Sequence, residues 1–83
     1  MQKYVVEHEY KTPLSDEVHS EEARRLDPCL AQYGVTWMAS YLASDRMKMI
    51  CEFDAESAEQ IRDALRSADV AFVKVWPAIK YQR

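Results

Sequence analysis

Apolar residues recur in two rhythms along this chain, every second position in some stretches and every third or fourth in others, and the switches between them mark its elements. Val35 to Ala43 is rich in β-branched and aromatic residues, holds no Gly or Pro, and is bounded by Gly34 and Ser44-Asp45, which predicts a strand. Met47 to Phe53 is a second short apolar run, and two strands so close in sequence must pair antiparallel. Alternation puts Trp37, Ala39 and Tyr41 on one face of the first strand, and Met49, Cys51 and Phe53 on one face of the second. Turning both sets onto one core requires a three-residue loop, Ser44 to Arg46, with Ala39 opposite Cys51. A slip of one residue would turn a whole apolar set to solvent. The opposite face then carries Met38, Ser40 and Leu42 beside Lys48, Ile50 and Glu52, a strip too apolar to stand bare.

Around this hairpin the other elements fall into place. Lys3 to Tyr10 reads as a first strand, ended by Thr12-Pro13. Ser15 is placed to cap a helix whose first turn holds Asp16 and Glu17, whose apolar side is Val18, Ala23, Leu26, Leu30 and Tyr33, and which Gly34 stops. Pro28 inside it predicts a kink or break near Leu26 and Asp27. Asp54 is expected to cap a second helix with the stripe Ala58, Ile61, Ala64, Leu65 and Ala68. Phe72 to Trp76 reads as the last strand, with Pro77 at its end or on an edge, and Lys80 to Arg83 as a loose tail.

The resulting βαββαβ order predicts an α+β, ferredoxin-like fold in one domain over residues 1–83. Two helices cover one face of a four-stranded antiparallel sheet and leave the other open. The strip of Met38, Leu42 and Ile50 favours covering that face with a second sheet. A homodimer shaped as an α+β barrel, with a small shared cavity, is therefore the expected assembly.

Composition narrows the function by exclusion. The net charge of -3 argues against a phosphate-binding surface, and the third strand lacks the exposed aromatic pair of RNA-binding sheets, so no nucleic-acid partner is expected. No apolar run approaches the roughly 18 residues that cross a bilayer, and glutamates interrupt the N-terminal apolar segment, so no signal peptide or membrane partner is expected either. With a single glycine, Gly34, the chain has no phosphate-cradling loop, and it shows no metalloprotease helix or nucleophile elbow. Cys29 and Cys51 are too far apart for a local chelate and read as reduced, buried thiols of a cytoplasmic protein.

One constellation is more specific. Tyr4-Val5-Val6-Glu7, Cys29-Leu30, Gly34-Val35-x-Trp37-x-x-Ser40-Tyr41, Asp45-Arg46, Cys51-x-Phe53-x-Ala55 and Ile61-Arg62 resemble a bacterial family of small ferredoxin-like domains of unknown function. Its best described members are nickel-binding dimers, and the resemblance implies a transition-metal site, with nickel as the expected ion and no established reaction. Relatives place histidines where this chain has Ala39 and Ala64, and the resemblance would set Cys51, retained here, beside both.

The candidate metal ligands are Cys51 and His8, each weighed against a plain structural role. Cys51 is equally a small core residue, and His8 lies on the strand face opposite Glu7 and Glu9. His19 reads as a surface histidine on the first helix. The alternative is small-molecule binding or cofactor-free catalysis in the dimer cavity, lined by Glu7, Trp37, Ser40, Tyr41 and Arg46.

Overall fold

In the computed structural model, which describes residues 1–83, these switches of period become six elements. They are β1 (Gln2–Glu9), α1 (Asp16–Gln32), β2 (Thr36–Leu42), β3 (Lys48–Ala55), α2 (Ala58–Ser67) and β4 (Lys74–Pro77). The strands lie in the order β2-β3-β1-β4 and every neighbouring pair is antiparallel. This is the ferredoxin-like arrangement expected from the sequence. Both helices cover one face, where Val6, Phe53, Ile61 and Leu65 have no exposure at all.

Local chemistry accounts for the helix ends. Ser15 Oγ accepts the Val18 N–H at 3.1 Å, starting α1 as expected. At its other end Gly34 takes φ +69°, Val35 N–H donates to the Leu30 carbonyl and Gly34 N–H to the Ala31 carbonyl. A Cβ on Gly34 would meet nothing within 4 Å, so the requirement for glycine here is one of backbone conformation. The same pair of bonds ends α2, with Asp69 in the left-handed position at φ 56°. Its cap is Ser57, which forms a capping box with Gln60, and not Asp54, because β3 runs on through Ala55.

Pro28 does not break α1, which is continuous from Asp16 to Gln32. Asp27 and Pro28 are on the exposed side of the helix, where solvent reaches the carbonyl that the ring leaves without a donor.

The hairpin departs from simple alternation at one residue. Thr36 faces Asp54 and Trp37 faces Phe53 in the expected register, but the ladder then shifts and Ala39 pairs with Glu52, leaving Met38 as a bulge. From there on every side chain of β2 lies on the face opposite to the one expected. Ser40 opposes Cys51 and Leu42 opposes Met49 on the helix side, while Tyr41 opposes Ile50 on the outer face. The loop lengthens to match: Ala43 N–H donates to the Lys48 carbonyl, so Ser44 to Met47 form a four-residue turn with Arg46 at φ 65°. The bulge keeps Trp37 on Phe53 at one end of the hairpin and Leu42 on Met49 at the other, so an apolar pair faces the helices at each end, while Ala39 and Tyr41, expected in the core, face outward.

Candidate metal centre

β1 and β3 deliver His8, Met49, Cys51 and Phe53 to the helix side of the sheet, because alternate residues share a face. α1 crosses above them with His19, Glu22, Ala23 and Leu26, spaced three and four apart and so on one side of the helix. Between them, closed by Trp37 and Val70, lies a cavity of ≈ 20 Å³. That is room for about one water-sized group.

His8 is 5 % exposed, and its Nδ1 lies 2.9 Å from the Ala71 carbonyl oxygen. A carbonyl only accepts, so in the neutral ring the proton sits on Nδ1 and Nε2 keeps a free lone pair. Burial pushes the His8 pKa below the ordinary 6.5, outweighing the Ala71 carbonyl and the Glu22 charge, with His19 acting in the same sense as burial. The ring is therefore neutral at pH 7.

Cys51 is 2 % exposed, and burial pushes its thiol up to about 11. Ser40, whose hydroxyl donates to Sγ at 3.0 Å, pulls the other way, and the Glu22 charge adds to the rise. Trp37 Nε1 in turn donates to Ser40 Oγ at 2.8 Å.

The His19 ring stacks on Trp37 with centroids 6.0 Å apart, and Trp37 tilts onto Phe53 at 5.8 Å. His19 is thus half-buried at the cavity wall and not the surface histidine expected. Tyr10 lies parallel to His8 at 6.4 Å, and its hydroxyl is buried without a hydrogen-bond partner. Its pKa rises to about 12, by burial first and then by the charges of Glu22 and Cys51. Sequence reasoning missed Glu22 and Tyr10. The signal for Glu22 was its place three residues after His19 and beside Ala23 on the apolar side of the helix.

The two residues read as metal ligands, His8 and Cys51, do line one cavity. As the side chains stand, no three of the His, Cys, Asp and Glu groups are spaced to hold one ion. Ala39 faces outward opposite Glu52, so the bulge removes it from Cys51, and Ala64 is sealed in the core under α2.

The five residues expected to line a shared cavity do not converge. Trp37 and Ser40 face the helices, whereas Tyr41 is 67 % exposed on the outer face. Glu7 shares that outer face, but it accepts the Trp76 indole N–H at 2.6 Å and sits 3.7 Å from Lys74 Nζ. Arg46 belongs to the hairpin turn, where it donates to the Leu14 carbonyl and pairs with Asp16 at 2.6 Å, tying the turn to the start of α1.

Fold and cavity together define a small ferredoxin-like domain with histidine and cysteine donors held between one helix and the sheet. The chain belongs to the SCO4226-like family, described as "Nickel responsive protein SCO4226-like", whose model matches residues 4–77. The crystal structure of SCO4226 from Streptomyces coelicolor A3(2) has the same fold, with a TM-score of 0.85 over 96 % of this chain and 99 % of that one, at 9 % identity. No curated protein matches the chain.

Proposed function

We propose that this nickel-responsive family member binds a single transition-metal ion, nickel in the first instance, at the cavity between α1 and the sheet. Cys51 and His8 are the primary donors, and His19 and Glu22 on α1 are the further donors that line the same cavity. The observation that carries the reading is that all four line one cavity sized for one small group.

The donor types suit the ion. Borderline cations favour nitrogen and sulfur donors, and a ligating histidine characteristically gives its other ring N–H to a carbonyl, as His8 does to Ala71. Because the side chains do not yet converge, His19 or Glu22 must turn inward for a complete set. Cys51 is protonated at neutral pH and must release its proton to ligate, so affinity should rise with pH.

Calorimetric titration of nickel into reduced protein without a histidine tag tests this. The expected result is one ion per chain, with affinity falling at least about a hundredfold in Cys51→Ala and His8→Ala. No binding to the unsubstituted chain, or equal binding by Cys51→Ala, rejects the site.

The outer face supports a second element of the reading, a homodimer through the sheet. Tyr41 and Ile50 pair across β2 and β3 on that face and Trp76 stands on β4, at 67, 45 and 39 % exposure, apolar side chains among charged ones that a second sheet would cover. Sedimentation at micromolar concentration should show a species of twice the 9.7 kDa chain mass. A monomer alone would remove this element and leave the metal reading standing, since the cavity lies on the other side of the sheet.

A further inference from the structure

The residues that follow β4 are tied to the sheet at two points. Ala78 N–H donates to the Lys3 carbonyl at 3.0 Å, and Lys80 Nζ lies 3.6 Å from Glu52 Oε1. Glu52 stands in the middle of the open face, paired with Val5 on β1 and Ala39 on β2. Because β1 separates β4 from β3, Lys80 reaches over it to the centre of that face. Its neighbours do not follow. Ile79 and Tyr81 are 82 and 87 % exposed, with almost no cover from their own chain, and they flank a lysine anchored on the face where Tyr41, Ile50 and Trp76 also stand uncovered.

Charge says what fits there. The carboxylates of the open face are matched within it, Glu52 and Asp54 by Lys3 and Glu7 by Lys74, so the face presents no strong field to a partner of one sign. The segment after β4 is basic, holding Lys80 and Arg83 and no acid, which leaves nine of the chain's 11 basic residues against all 14 acidic ones in residues 1–77. A basic segment with two bare apolar side chains, on an acidic body with a charge-matched and partly apolar face, is complementary to a second copy of the same chain.

We propose that Ala78 to Arg83 is a dimer arm, which lays Ile79 and Tyr81 on the open face of the second copy, against its Tyr41, Ile50 and Trp76. This rests on the homodimer reading above and names the segment that secures it. A segment already held at Ala78 and Lys80 has less freedom to lose on docking. Two-fold symmetry buries both arms in each dimer, so four large side chains leave water together.

A chain ending at Ala78 tests this, because it keeps the bond to Lys3 and the whole of β4. Sedimentation should show the 83-residue chain as a dimer, with the dissociation constant raised at least about a hundredfold in the shortened chain and the circular dichroism unchanged. Ile79→Ser combined with Tyr81→Ser should do the same, which separates the apolar contact from the loss of Lys80 and Arg83.

An equally tight dimer in either variant overturns the arm and leaves the dimer standing. A tighter dimer also overturns it, and shows the segment to lie over its own face as a strap. A monomeric 83-residue chain overturns the homodimer and the arm with it.

Discussion

Phe53→Ala should lower the stability of the domain by about 3–5 kcal/mol, a typical figure for deleting a buried aromatic ring. Phe53 has no exposure and sits where both inner ladders meet, opposite Tyr4 on β1 and Trp37 on β2. Its ring also carries Trp37, which in turn carries His19. Little nearby can collapse into the space, because Phe53 borders a cavity of ≈ 20 Å³ that would grow by the volume of the ring. At roughly 0.05–0.15 kcal/mol per residue, a chain of 83 residues has only about 4–12 kcal/mol in total. The substitution should consequently remove roughly a quarter of that total or more, enough to unfold the protein at the low end of the range. Urea denaturation followed by far-ultraviolet circular dichroism measures this, and a loss below about 1 kcal/mol would show that Phe53 is not the keystone of the core.

Acidification should destabilise the metal-free domain in two separate windows. His8 has a folded-state pKa below the 6.5 of the unfolded chain, chiefly through burial. Below 6.5 the unfolded chain takes up a proton that the folded ring resists, so stability falls with pH from that point until the folded pKa is reached. Each unit of separation between the two values is worth about 1.4 kcal/mol. Glu52 acts lower. Its hydrogen bond from Lys3 at 2.6 Å, aided by Lys80, holds its carboxyl below 4.5, so the stabilisation it brings is present above 4.5 and lost as pH falls through the folded value. Urea midpoints between pH 7.5 and 5 isolate the first window. The parent protein should lose stability there, whereas His8→Asn, whose amide can still donate to Ala71, should be nearly flat. Equal slopes in the two proteins would assign the acid sensitivity elsewhere.

The elements of this domain were legible because each is written locally. Ser15, Gly34 and the apolar stripe of α2 act within a turn or two of themselves, and the caps and faces they imply are the ones observed. Where competing local signals existed, the reading went astray. Asp54 and Ser57 are both good caps, and the ladder to β1, in which Asp54 faces Lys3 and Ala55 faces Gln2, decides for Ser57 by extending β3. Pro28 carries a real helix-breaking tendency, which an exposed position makes affordable in a helix held by Leu26 and Leu30.

The site was legible only in part. Cys51 and His8 could be placed on the core side by counting along their strands, and both are there. That His8 finds the Ala71 carbonyl, 63 residues away, has no trace in local pattern. Nor does the approach of His19 and Glu22, which depends on how α1 lies across the sheet.

The chain by itself determined the order of elements, the ferredoxin-like topology and the greater part of the core, though not Val18, Ala39 or Tyr41, because hydrophobic period and capping chemistry are properties of neighbouring residues. Tertiary structure decided which face of β2 looks inward beyond Trp37, and through that which side chains surround Cys51. A bulge leaves the composition of a strand unchanged and reverses every position after it, and it forms only where packing at both ends of the ladder demands an extra residue between them.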